Sequence, residues 1–238
     1  MSRLFAVLLA LSLNGCLVYE YEHEFWLNVD GSGRVHVTGQ PWLWQAFKGL
    51  GTSADPEATV TPEAVRAVFE QSGLRVRRAT LTRRRGHAYV FVAADFDDLS
   101  RLAGTPAFPD LELRLAADGE HLRLSGVWRR TTNGAGPHAP EGLMAVRFHL
   151  PSKVYEHNNA VGGVERGNIV AWRQDVVAGL RGQPLPFGAS MDKRSILWST
   201  VGLFGAAIGL ALATLAGGIY YAFRKGRRTT SSSPPSRS

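Results

Sequence analysis

The chain has 238 residues, a formal net charge of +7 and one cysteine, Cys16. A single cysteine excludes an intramolecular disulfide and any cysteine-built zinc or iron–sulfur centre. The basic excess sits at the two ends, and between Leu17 and Ser190 acidic and basic residues balance, so no basic domain argues for nucleic acid as a partner.

Met1 to Gly15 reads MSRLFAVLLALSLNG. Arg3 supplies a short positive start, and Leu4 to Leu13 an apolar run too short to span a bilayer as a mature helix. Leu13-Asn14-Gly15-Cys16 follows and resembles the bacterial lipobox. That resemblance implies a lipoprotein signal peptide over 1–15, diacylglyceryl transfer to the Cys16 thiol and cleavage before it. Ordinary secretory cleavage and an uncleaved anchor are the alternatives.

Tyr19 to Phe25 alternates, with Tyr19, Tyr21 and His23 on one side and Glu20, Glu22 and Glu24 on the other. This pattern predicts a half-buried strand. The three carboxylates read as a solvated face rather than a cation site, because calcium ligands come from loops that wrap the ion. Asp30-Gly31-Ser32-Gly33 is a hairpin turn signal, and Arg34 to Thr38 the return strand.

Pro41 to Leu50 (PWLWQAFKGL) is the densest aromatic patch. Trp42, Trp44 and Phe47 fall within two turns of a helix. The segment reads either as a lid or lip contacting lipid or ligand, or as a short helix packed into the core. Thr61-Pro62-Glu63 opens a helix through about Ser72, with Thr61 as its N-cap and Gly73 as its stop. Leu74 to Thr82 and His87 to Ala93 predict two strands joined at Arg83-Arg84-Arg85-Gly86. Three adjacent arginines at a turn suit either solvent or an anionic headgroup.

Asp95 to Leu102 predicts a short helix. Leu111 to Leu115 and Leu122 to Val127 flank Asp118-Gly119, a second hairpin signal. Thr131 to Gly142 reads as a loop. Leu143 to Leu150, Val154 to His157 and Asn168 to Gln174 read as strands, and Gly179 to Ser190 as a connection. Seven or eight strands in hairpins with two or three helices predict an α+β fold with a mainly antiparallel sheet over 16–190.

Ser195 to Phe223 carries no charge and is longer than the roughly 20 residues that cross a bilayer as a helix. Arg224, Lys225, Arg227 and Arg228 follow it, which puts the tail 224–238 in the cytoplasm and the domain outside. Gly205, Gly209, Ala213 and Gly217 recur every four residues and offer a small-residue face for close helix approach and self-association.

No phosphate loop, dinucleotide fingerprint or nucleophile elbow occurs, and the seven histidines show no helical zinc spacing. Neither an enzyme, a cofactor nor a metal site is expected.

The lipobox at Cys16, the Tyr/Glu-rich first strand running into Asp30-Gly31-Ser32-Gly33, the block FHLPSKVYEHNNA at Phe148 to Ala160, GNIVAW at Gly167 to Trp172 and the single C-terminal helix with a basic end together resemble the LppM-type bacterial envelope lipoproteins. The resemblance implies an extracytoplasmic α+β domain with a pocket for a lipid-like or glycolipid ligand, and carries no catalytic residues. The expected function is a membrane-anchored envelope lipoprotein that binds such a ligand, with a protein-interaction or assembly module as the alternative.

Overall fold

The computed structural model describes residues 19–50, 60–84, 86–130, 141–159, 164–165, 168–193 and 196–229. The expected signal peptide 1–15, Cys16, Arg85, residues 131–140, where a loop is expected, and the end of the tail lie outside them. The chain divides into two compact units, Met1–Lys193 and Arg194–Ser238.

The first unit is α+β and built on two sheets. Its strands are β1 (Tyr21–Leu27), β2 (Gly33–Gly39), β3 (Arg75–Arg84), β4 (His87–Phe96), β5 (Leu111–Asp118), β6 (His121–Trp128), β7 (Leu143–His149), β8 (Val154–His157), β9 (Val164–Glu165), β10 (Ile169–Asp175) and β11 (Leu185–Asp192). The helices are α1 (Pro41–Lys48), α2 (Pro62–Gln71), a 3-10 turn at Leu99–Arg101, and α3 (Val176–Leu180). One sheet runs β3-β4-β2-β1-β7-β10-β9 and the other β5-β6-β11-β8. All pairings are antiparallel except β1 with β7, which is parallel.

Alternation along each strand decides what is buried. Tyr21, His23 and Phe25 of β1 share a face with Val35 and Val37 of β2, and with Met144, Val146 and Phe148 of β7. Trp128 of β6 and Phe187 of β11 close over that face from the smaller sheet: Tyr21 to Trp128 is 5.6 Å between ring centroids and Phe148 to Phe187 is 5.8 Å. The sheets thus share one core. Two glycines permit the closest approaches. A Cβ on Gly39 would lie 2.3 Å from the Tyr21 ring, and one on Gly126 would lie 2.3 Å from the Phe187 ring. Neither position has room for a side chain.

Helix α2 starts as its sequence predicts. The Thr61 hydroxyl accepts from Ala64 N, Pro62 follows, and Val65 and Phe69 enter the core. Three expectations need correction. Asp95 and Phe96 belong to β4, so the expected helix shrinks to the turn at Leu99–Arg101, capped when Asp98 accepts from Ser100 N. The expected connection Gly179 to Ser190 holds the end of α3 and most of β11, whose Leu185, Phe187, Ala189 and Met191 alternate inward. Tyr19 lies against the guanidinium groups of Arg147 and Arg173, away from Tyr21 and His23.

The second unit is the helix α4 (Ile196–Thr229). Its stretch Val201–Tyr221 is long and apolar enough to cross a membrane, and none of it is buried.

Candidate functional site

The aromatic patch on α1 turns inward. Leu43, Trp44 and Phe47 are buried, and Trp44 is fully enclosed. Its indole N–H points at the Gly39 carbonyl at 3.1 Å and the Val90 carbonyl at 3.3 Å, which ties the helix to the sheet. Phe47 packs 5.0 Å from Tyr21 and 5.1 Å from Trp128. Of the two sequence readings, packing into the core describes Trp44 and Phe47, and neither offers a surface to lipid. Trp42 is half-buried and donates to Gln40 Oε1 at 2.7 Å.

Arg83 and Arg84 belong to the last two positions of β3, opposite Ala88 and His87, and both are exposed. The turn itself is made at Gly86, with φ of 84°. This differs from the expectation that the arginines form the turn. Gly205, Gly209 and Gly217 have no neighbouring atom within 4 Å of an added Cβ, and the α4 surface around Ala213 is exposed.

A polar cluster that the sequence reading does not assemble lies between the sheets. His23 is 1% exposed and stacks on Trp128 at 4.7 Å. Tyr21 is fully buried beside it, at 5.3 Å between rings. Neither nitrogen of His23 nor the Tyr21 hydroxyl has a hydrogen-bond partner among the described residues. Lys48, the last residue of α1, donates to the Ala107 carbonyl and holds its ammonium 4.7 Å from the Phe108 ring. Asp110 is also buried.

The electrostatics follow from this enclosure. Burial holds the His23 imidazole well below its ordinary pKa, and the Lys48 charge pushes the same way. Burial brings the Lys48 amine down to about 7, against the pull of Asp110. Lys48 as a whole residue is only half-buried, but its ammonium sits among the rings of Phe108, Trp44 and Phe69, and that enclosure governs its charge. Burial raises the Tyr21 phenol, helped by Asp110. At neutral pH the cluster therefore offers a neutral imidazole, a neutral phenol and an amine near its midpoint. Such a set can donate to and accept from a polar group placed within an otherwise apolar core. The sequence carries this signal only in part. The alternation of β1 turns His23 inward, but nothing local links it to Lys48 or Asp110.

The opposite face of the larger sheet carries an ionic row. Arg147 Nη2 lies 3.4 Å from Glu22 Oε1 and its Nη1 3.5 Å from Glu24 Oε1, while His149 Nε2 lies 2.7 Å from Glu24 Oε1. Trp26 is stacked on His149 at 4.5 Å, close to His36 at 4.3 Å and under the Arg34 guanidinium at 4.7 Å. Glu22 and Glu24 are therefore partnered and half-buried, in place of the expected solvated face. Glu20 turns aside to accept from Tyr89 at 2.7 Å and from Gln40. Among the described residues, no group of three or more His, Cys, Asp or Glu side chains is placed to hold a metal ion.

No family model matches the chain, and a search of curated proteins finds no relative. One solved structure, the NMR structure of the folded domain of Mycobacterium tuberculosis LppM, aligns with 74% of this chain and 90% of its own length, at a TM-score of 0.40 and 14% sequence identity. The resemblance to LppM-type lipoproteins is accompanied by this weak structural likeness.

Proposed function

We propose that this chain is a membrane-anchored lipoprotein of the bacterial cell envelope, with a non-catalytic extracytoplasmic domain that binds a lipid-like or glycolipid ligand. The observation that carries the anchoring is the apolar surface of Val201–Tyr221. Leu203, Phe204, Ile208, Leu210 and Leu215 are each at least 60% exposed, a condition stable in hydrocarbon and unfavourable in water. The basic cluster from Arg224 to Arg228 supports a cytoplasmic tail, and the lipobox-like segment supports acylation at Cys16 and an outer location for the domain.

The buried Tyr21 hydroxyl and His23 ring support the ligand part of the reading. They are polar groups set without partners in an aromatic core, suited to the polar end of a largely apolar molecule. The half-buried row of Glu22, Glu24, Arg147 and His149 favours the second reading, a protein-interaction module, since it is an ordered charged surface on the outer side of the sheet.

The test uses the full chain from bacterial membranes. Alkaline extraction should leave it in the membrane fraction, metabolic palmitate should label it at Cys16, and Cys16→Ala should remain bound through α4 while losing the label. Mass spectrometry of the detergent-purified chain should find a co-purifying lipid. Release by alkali would overturn the anchoring. Absence of a lipid from chain that stays folded would leave the interaction module as the function.

A further inference from the structure

The larger sheet ends in a strand of unusual charge. In β3 five of ten residues are arginine, and all five are exposed: Arg75, Arg77, Arg78, Arg83 and Arg84. No acidic residue occurs from Arg75 to Ala94. The nearby carboxylates are already engaged. Asp97 pairs with Arg75 at 2.9 Å and Asp95 with Arg77 at 2.5 Å, while Glu70 of α2 pairs with Arg66 at 3.3 Å. Glu20 is bonded to Tyr89 and Gln40. Arg78, Arg83 and Arg84 make no ion pair among the described residues; the Arg84 guanidinium lies 5.7 Å over the Tyr89 ring. Leu81, within the same strand, is 54% exposed. An exposed apolar side chain on a strand of uncompensated guanidinium groups suits an interface that supplies both anions and hydrocarbon.

We infer that the outer end of β3, through Arg78, Leu81, Arg83 and Arg84, is a docking surface for the anionic headgroups of a lipid bilayer. The inference rests on the reading of α4 as a membrane anchor. Three facts select a bilayer as the occupant. The charge is of one sign, the exposed Leu81 shares its strand face with Arg83 at the hairpin end, and the same chain carries a helix able to hold the domain at high local concentration beside a membrane. Alternation along the strand gives Leu81 and Arg83 one face and Thr82 and Arg84 the other, so an arginine is available on either side of the hairpin end. Arginine also suits phosphate oxygens through its planar fork of donors.

The experiment uses the full chain carrying Cys16→Ser and His87→Cys, with a thiol-reactive fluorophore on the introduced thiol, reconstituted in nanodiscs. One set contains phosphatidylcholine alone and the other also contains phosphatidylglycerol, both with brominated acyl chains as quencher. Quenching is expected in the phosphatidylglycerol discs, weak in phosphatidylcholine, and reversed by high salt. Replacing Arg78, Arg83 and Arg84 with glutamine should weaken docking by about fivefold per charge, while circular dichroism shows the domain still folded. Equal quenching in both lipids, or full quenching in the triple variant, overturns the inference. A label that responds to an added acidic peptide and ignores phosphatidylglycerol overturns it in favour of a protein partner. A chain that fails to stay with the discs overturns the anchor reading instead, and is read separately from disc recovery.

Discussion

Oε1 of Glu24 lies 2.7 Å from Nε2 of His149, across the parallel pairing of β1 with β7. Burial alone would raise the Glu24 carboxyl. The hydrogen bond to His149 and the charges of Arg147, His149 and His36 outweigh it and hold the group below its ordinary range. A carboxyl depressed in the folded state stabilises above its unfolded pKa, and that contribution is lost as pH falls through the folded value. Glu24→Gln should therefore cost stability at pH 7, by about 1–3 kcal/mol for a half-buried charge-assisted bond, and cost little near pH 3. Urea titrations of both proteins at the two pH values check this. A gap of the same size at both would contradict the assignment.

His23 gives an acid response from the other side of the same strand. Its folded pKa is depressed, so below about pH 6.5 the unfolded chain takes up a proton that the folded chain refuses. Stability should fall between pH 7 and pH 5, and His23→Phe should flatten that part of the curve. Melting temperatures across the range are the measurement, with the variant as reference for the six other histidines.

Lys48 responds at alkaline pH. With its folded amine near 7 and its unfolded amine near 10.5, only the unfolded chain is protonated between those values. Stability therefore rises with pH across that window. Compared with Lys48→Met, the wild type should gain relative stability from pH 7 to pH 9.5 in paired denaturant titrations.

Gly39 should not accept a side chain. The ring of Tyr21 lies where the Cβ would be, and Trp44 is 3.3 Å away on the same side. Gly39→Ala should lower stability by about 1–3 kcal/mol, the usual cost of overpacking. The double variant Gly39→Ala with Tyr21→Leu should lose less than the two single costs combined. A strictly additive pair would show that the two positions do not compete for space.

The small-residue face of α4 predicts association in the membrane. Gly205→Ile with Gly209→Ile should weaken self-association of the full chain in nanodisc or crosslinking assays. Unchanged association would remove the role from Gly205, Gly209, Ala213 and Gly217.

Local patterns make much of this fold legible. The alternation of β1, the Thr61-Pro62 start of α2, the Asp118-Gly119 hairpin and the long apolar run of α4 each carry their information within a few residues. β11 is less visible, because Pro184, Pro186 and Gly188 read as loop residues while its real determinant is pairing with β6 and β8 far away in sequence. Trp44 and Phe47 illustrate the same limit. Helical spacing puts them on one face, but whether that face meets solvent or a sheet depends on Gly39 and Tyr21. The His23, Lys48 and Asp110 cluster is illegible for the same reason: its members come from a strand, a helix end and a turn that only the folded core brings together.

β11 occupies an interior place in its sheet, between β6 and β8, yet it is the last strand of the domain in the chain. During synthesis its two neighbours are complete long before it arrives. The smaller sheet, and with it the Phe187 cover over Phe148 and Trp172, stays incomplete until residue 192 has been made. The apolar helix begins only four residues later. Until β11 lies between β6 and β8, Phe148 and Trp172 lack the Phe187 ring that packs against them, so the smaller sheet can close only once the whole sequence of the domain is present.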